Sequence, residues 1–275
     1  MAGIDHALID PDLTAIASGA RQLAGRFGDE AYFVAVCVRS GLVGPELPHR
    51  AVAIMRAFER FGIVGGAIAT GGIRHRNRLA VIDEQRELTY RQLDERSNAL
   101  ANAWREHGLQ SGEGVAILAR NHCGFLESVF AAAKCGARII LLNTSFAGPQ
   151  IREVAGREGT ELLVYDEEYA DLLVGVDPPR GRFRAWVEDR PPLVADDSIA
   201  SLIARASTTA PPKPGAGTRI TILTSGTTGA PKGAPRAEPR SLGLLGGLLG
   251  RVPFRPREVT ELCVPMFHAL GFTQA

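Results

Sequence analysis

"VAILARNHCGFLESVFAAAKCGARIILLN", residues 115–143, is the stretch that decides the fold. Val115 to Ala119 reads as a strand. Leu126, Val129, Phe130 and Ala133 then recur at helical spacing, and Gly136 stops the helix they define. The apolar run "ARIILLN" follows at once as another strand. Two apolar strands joined by one helix through short turns form a parallel crossover. The pattern spreads in both directions. Upstream, Leu79 to Ile82 reads as a strand, and Thr89 with Gln92 forms a capping-box pattern. Leu93, Leu100, Ala101 and Trp104 then share one helical face, which Gly108 ends. Downstream, "QIREVAGREG" and "ELLVYD" repeat the helix and the strand. The expected fold class is α/β, with mainly parallel β-sheet layers flanked by helices.

The flanking regions read differently. Residues 1–74 carry the apolar runs "AYFVAVCV" and "AVAIMRAFERFGIVGGAIA", broken by Gly41, Gly44, Pro45 and Pro48, and are expected to form a helical N-terminal extension. The second run has only Arg56 and Arg60 as basic content, so it reads as a packed helix before it reads as a membrane-surface helix. Residues 75–275 would form the main domain. Within the proline-rich region 177–217, "RFRAWVE" reads as a strand and "SIASLIARA" as a short helix, and "STTAPPKPGAG" as an exposed connection. Further on, "SLGLLGGLLG" reads as a glycine-softened buried helix, too short to span a membrane.

Composition narrows the partners. The chain has 275 residues, 45% of them apolar, enough for a substantial core. Its 31 basic residues balance 30 acidic ones, so no net field favours nucleic acid or an anionic membrane. Cys37, Cys123, Cys135 and Cys263 lack C-x-x-C spacing, and His122 beside Cys123 lacks the other ligands of a zinc site. They read as reduced, mostly buried thiols of a cytoplasmic protein. No signal peptide is legible, and no run approaches the roughly 18 apolar residues of a spanning helix.

The densest chemistry lies in "ITILTSGTTGAPKGAPR", residues 220–236. A short apolar strand runs into a loop where Gly226, Gly229 and Gly233 can expose successive N–H groups. Thr224, Ser225, Thr227 and Thr228 add hydroxyls, and Lys232 adds a mobile cation. That inventory suits a polyphosphate. It is not a Walker loop: counting from Gly226, the second glycine position holds Pro231, and Lys232 precedes Gly233 instead of a hydroxyl residue. Nor does "GAGTRI" at 215–220 follow a strand, as a dinucleotide fingerprint must.

"LTSGTTGAPKG" resembles the phosphate-binding signature of the adenylate-forming superfamily of acyl-CoA synthetases, luciferases and peptide-synthetase adenylation domains. "LTYRQLDERSNALANAWREHGLQSGEGVAILARN", "AAAKCGARIILLNTSF" and "VPMFHALGF" extend the likeness from about residue 75 to the end. "RNHCGF" and "LLNTSFAGPQI" are most similar to bacterial fatty-acid–CoA ligases. The resemblance implies two-step chemistry: a fatty-acid carboxylate attacks the α-phosphorus of ATP, and the thiol of CoA then displaces AMP. It implies that Thr224, Ser225, Gly226, Thr227, Thr228 and Gly229 wrap the phosphates, that Lys232 approaches them catalytically, and that Thr224 ligates Mg²⁺. It also implies that His268 lines the acyl-adenylate site with a catalytic role, that Ala269 lines the pocket, and that Phe272 gates the acyl tunnel. Peripheral membrane contact through the lipid substrate would be compatible with this reading.

The sequence departs from that pattern in two ways. The loop exit, Ala234 to Pro239, is unusually rich in proline. The superfamily's later acidic, ribose-binding, hinge and C-terminal lysine motifs find no counterpart. The expectation is therefore an incomplete N-terminal domain of an adenylate-forming enzyme, inactive by itself, with a non-catalytic nucleotide-binding remnant as the alternative.

Overall fold

The structure is a computed structural model. It describes residues 28, 31–32, 34–39, 44–187, 197–224, 232–236 and 258–274; for Thr224 and residues 232–236 it describes the backbone. The chain forms two compact units, Met1–Pro45 with Pro239–Thr260, and Glu46–Glu238 with Glu261–Ala275. In the smaller unit, the described residues 34–39 are helical, and Val36 and Cys37 are buried.

The larger unit opens with α1 (Pro48–Arg74), whose first position is a proline that needs no N–H partner there. Gly62 breaks the helix with φ 68° and ψ −164°, a conformation that a residue with a Cβ resists. Ala57, Phe61 and Ile68 bury their side chains, so the expected extension over residues 1–74 contributes this helix to the larger unit.

Strand β1 (Leu79–Ile82) overturns one expectation. It does not begin the parallel sheet; it pairs antiparallel with β2 (Glu87–Thr89) in a separate two-stranded ribbon. Asp83 makes the turn, its Oδ1 accepting from the N–H groups of Gln85 at 2.9 Å and Arg86 at 2.8 Å. Helix α2 (Tyr90–Glu106) follows directly. Thr89 Oγ1 accepts from Gln92 N–H at 3.2 Å, while Gln92 Oε1 accepts from Thr89 N–H at 2.9 Å, which is the expected capping box. Thr89→Ala should lower stability by about 1 kcal/mol and Thr89→Ser should restore most of it, measured by urea unfolding.

The main sheet comprises β3 (Gly114–Leu118), β4 (Arg138–Leu141), β5 (Thr160–Asp166), β6 (Arg182–Trp186), β7 (Arg219–Thr224) and β8 (Lys232–Arg236). Its order is β6-β5-β3-β4-β7-β8, parallel throughout except for the antiparallel β7–β8 pair. Helix α3 (Cys123–Cys135) makes the β3–β4 crossover read from the opening stretch, and Gly136 caps it in the left-handed region at φ 67°. Helix α4 (Gly148–Arg157) connects β4 to β5, which lies on the far side of β3. A 3₁₀ turn (Glu167–Leu173) follows β5, and α5 (Ile199–Arg205) precedes β7.

Alternation along the strands divides the core between two faces. Val115, Ile117, Ile139, Leu141, Leu162 and Val164 point to the side covered by α2, α3 and α5. Ala116, Leu118, Ile140, Leu163 and Tyr165 point to the side covered by α4 and the 3₁₀ turn. Packed between the sheet and helices α1 and α2, α3 is buried nearly all round. That differs from the single apolar face expected: Glu127 and Lys134 are fully buried, while Leu126 and Phe130 are only partly buried.

Candidate functional site

In an open parallel sheet, ligands collect beyond the carboxyl ends of the strands, where chain direction brings the connecting loops together. Here those ends are Leu118 of β3, Leu141 of β4, Asp166 of β5 and Thr224 of β7. β7 runs in register with β4, Arg138 opposite Arg219 and Leu141 opposite Ile222, so Thr224 reaches the carboxyl edge. β8 starts back from the same edge: Lys232 stands directly opposite Thr224 in the antiparallel pair. Directly paired residues have Cα atoms about 4.5–5.5 Å apart. The structure thus brings the backbones of two predicted site residues together, while Ser225, Gly226, Thr227, Thr228 and Gly229 lie outside the described residues.

The second predicted group arrives from the far end of the chain. Asn121, three residues past the end of β3, donates through Nδ2 to the carbonyls of Leu262 at 3.1 Å and Val264 at 2.9 Å. Its Oδ1 accepts from Met266 N–H at 2.8 Å. Met266 and Phe267 then bury their side chains in the core. His268 follows with an exposed ring, its centroid 4.4 Å from that of Phe267. The short helix α6 (Ala269–Gln274) begins there, and the Phe272 N–H bonds the His268 carbonyl at 2.9 Å. Ala269 and Phe272 pack partly buried against the core. β3 and β7 are separated by one strand, so their ends lie about 10 Å apart.

On the other side of β3, toward β5 and β6, lies a polar cluster that the sequence had not singled out. Asp166, fully buried at the end of β5, accepts from the Arg120 N–H and His122 Nε2, each at 2.8 Å. Arg120 also pairs with Glu168 at 2.6 Å and lies 5.8 Å from the centre of the Trp186 ring. His122, set aside in the sequence as a zinc ligand, is held by this carboxylate instead. Its ring crowds Gly124, where a Cβ would lie 3.0 Å from both the ring and the Ala185 carbonyl. The legible signal was position: "RNH" stands directly after a strand, at the edge where loops gather.

Chemistry of other kinds is narrowed by burial. Desolvation pushes the Cys123 thiol up to about 12, with the neighbouring Asp83 adding to the effect, and burial pushes Cys135 up to about 12 as well. Neither is a thiolate nucleophile at neutral pH. No group of three or more His, Cys, Asp or Glu side chains could hold a metal among the described residues. A Mg²⁺ ion would take its oxygen ligands from phosphates and a loop hydroxyl, and the donor set of residues 224–232 fits that demand. A cleft of about 350 Å³ lined by Arg50, Arg76, Arg91 and Asp94 lies between α1 and the start of α2, built from the helical layer and not from strand ends.

Residues 71–275 match the AMP-binding enzyme family. The chain belongs to that family. This family member is 28% identical over 192 residues to the long-chain-fatty-acid–CoA ligase FadD13 of Mycobacterium tuberculosis, over 68% of this chain and 37% of the relative. It is 30% identical over 207 residues to the fatty acid–[acyl-carrier-protein] ligase ScoC of Streptomyces coeruleorubidus, over 70% of this chain and 37% of that protein. It therefore spans a little over a third of these relatives' length. Among solved structures, the N-terminal domain of FACL13 from Mycobacterium tuberculosis superposes with a TM-score of 0.63 at 24% identity, covering 77% of this chain and 53% of that one. The Brucella canis acyl-CoA synthetase gives 0.60 at 24% identity, covering 73% and 38%. These superpositions establish the fold, an N-terminal domain of the adenylate-forming type.

Proposed function

We propose that this AMP-binding enzyme is a fatty-acid–CoA ligase whose residues 75–275 hold ATP and the acyl group at the carboxyl edge of the sheet. The observation that carries the reading is the convergence of two chain segments on that edge: the Thr224–Lys232 turn-around of β7 and β8, and the His268 segment fastened beside β3. The fatty-acid carboxylate would attack the α-phosphorus while the hydroxyls and N–H groups of residues 224–229 hold the departing pyrophosphate, with Lys232 countering its charge. Mg²⁺, when bound with ATP, would neutralise phosphate charge, with Thr224 among its ligands. His268 and Ala269 would line the acyl-adenylate site, and Phe272, one helical turn on, would face the acyl chain. Transfer to the thiol of CoA would follow. The names of the relatives favour a fatty acid and leave two acceptor classes in view, CoA and a carrier-protein thiol. No described helix is long and apolar enough to cross a membrane. A cytoplasmic enzyme meeting lipid substrate peripherally fits this reading.

Calorimetric titration with MgATP tests the phosphate site. Lys232→Ala should weaken binding by about tenfold or more, the loss expected when a charge-assisted contact to phosphate is removed. Equal affinity in both proteins would remove Lys232 from the site. The second reading is a nucleotide-binding remnant, which would bind MgATP without turnover. Fatty-acid-dependent ATP–pyrophosphate exchange, measured with the C-terminal portion of a family relative supplied, separates the two: its presence supports the ligase, whereas MgATP binding without exchange supports the remnant.

A further inference from the structure

We propose that Asn121 is a positioning residue that sets where His268 stands at the carboxyl edge. The proposal rests on the reading of the His268 segment as part of the acyl-adenylate site. Among the described residues no strand pairs with residues 261–268. Backbone groups there need partners, and one carboxamide supplies three of them. Asn121 bonds the carbonyls of Leu262 and Val264 and the N–H of Met266, so the segment curves around the carboxamide, bending at Val264 before the turn at Met266 and Phe267. Both Nδ2 hydrogens are used, and Oδ1 takes the third bond. One side chain thus fastens the segment at three backbone groups.

The geometry separates depth from register. Burial of Met266 and Phe267 fixes how deeply the segment sits, but a slip along the edge could bury other apolar residues. A one-residue slip would break all three contacts at once and shift the turn in which the His268 N–H bonds the Pro265 carbonyl. His268 is two residues beyond the last contact, with its N–H on the Pro265 carbonyl at 3.1 Å, so its place is inherited from the register. Asn121 itself is exposed and outside the apolar clusters, so its replacement spares the core.

Hydrogen exchange resolved by NMR on the full 275-residue chain tests this without reference to function. In Asn121→Ala, the Met266 and His268 amides should exchange at least about tenfold faster, while Val115 and Ile117 in β3 keep their protection. The His268 ring resonances should move toward those of a free histidine. Asn121→Asp is isosteric and keeps only the bond to Met266, turning repulsive oxygen toward two carbonyls, so it guards against a collapsed alanine variant. For Asn121→Asp, affinity for a non-hydrolysable octanoyl-adenylate sulfamate should fall at least about tenfold, with MgATP changed by less than about twofold. Unchanged Met266 exchange overturns the proposal, and so does an equal loss for both ligands. If the parent chain binds neither ligand, the ligase reading fails, and the exchange and ring measurements alone decide the role of Asn121.

Discussion

Asp94→Ala should destabilise the larger unit by about 3–5 kcal/mol, the usual effect of stripping one partner from a buried ion pair. Lys134, in the last turn of α3, is fully buried. Its ammonium donates to Asp94 Oδ1 at 2.6 Å, the Asp94 carbonyl at 3.1 Å, and Ser97 Oγ and Asn98 Oδ1 at 2.7 Å each. Asp94 is its only anionic contact in that set. Lys134→Met should be milder, because Asp94 is partly exposed and can rehydrate. The double variant should therefore be more stable than Asp94→Ala alone. The pH response supplies an independent check. Burial lowers the Lys134 pKa, and the charge and hydrogen bond of Asp94 oppose that shift. The unfolded chain keeps its lysine proton up to about pH 10.4. Between the depressed folded value and that limit the unfolded state binds more protons, so this lysine makes stability rise with pH. Without Asp94 the depression deepens, and the rise should begin at lower pH and be larger. Urea midpoints measured from pH 7 to 10 would show it; a destabilisation independent of pH would mean that the charge on Lys134 is not the cause.

Asp166→Ala should cost about 3 kcal/mol and disturb the carboxyl edge at the same time. The carboxylate is fully buried and receives the Arg120 N–H and the His122 ring. Each buried donor left without an acceptor costs about 1–3 kcal/mol, and alanine would orphan both. Asp166→Asn keeps an oxygen for one of them and should lose roughly half as much. Because Asn121 lies between these two anchored residues, loosening them should also speed amide exchange at Met266, which Thr89→Ala, at the far end of α2, should leave alone. Thermal unfolding together with exchange at Met266 reads both effects; a stability loss with Met266 unchanged would show that the cluster holds the fold but not the site.

These results show where local pattern stops carrying information. The hydrophobic period of residues 115–143 dictates β3, α3 and β4 because each of those elements is specified by its own residues and the turns between them. The same holds for the Thr89–Gln92 cap, which closes within one helical turn, and for the donor chemistry of residues 224–232. Strand pairing does not close locally. Leu79–Ile82 has the same apolar look whether it joins a large sheet or a ribbon, and Glu87–Thr89 is too short to announce itself as its partner. Nor does the period of "ELLVYD" say that β5 passes over β4 to lie beside β3. Nothing in the helical period of residues 123–135 says that Glu127 and Lys134 are buried, since their partners, Arg86, Arg96 and Asp94, lie elsewhere in the chain. The Asn121 clamp joins residues 141 to 145 positions apart. The sequence alone therefore determined the α/β class, the principal helices and the donor character of residues 224–232, all products of neighbours within a few residues. Tertiary structure alone decided strand order, which charges could be buried, and which side chain fastens the His268 segment to the sheet. Those outcomes depend on burying two sheet faces at once while pairing the charges carried inside, a condition that no single segment can satisfy by itself.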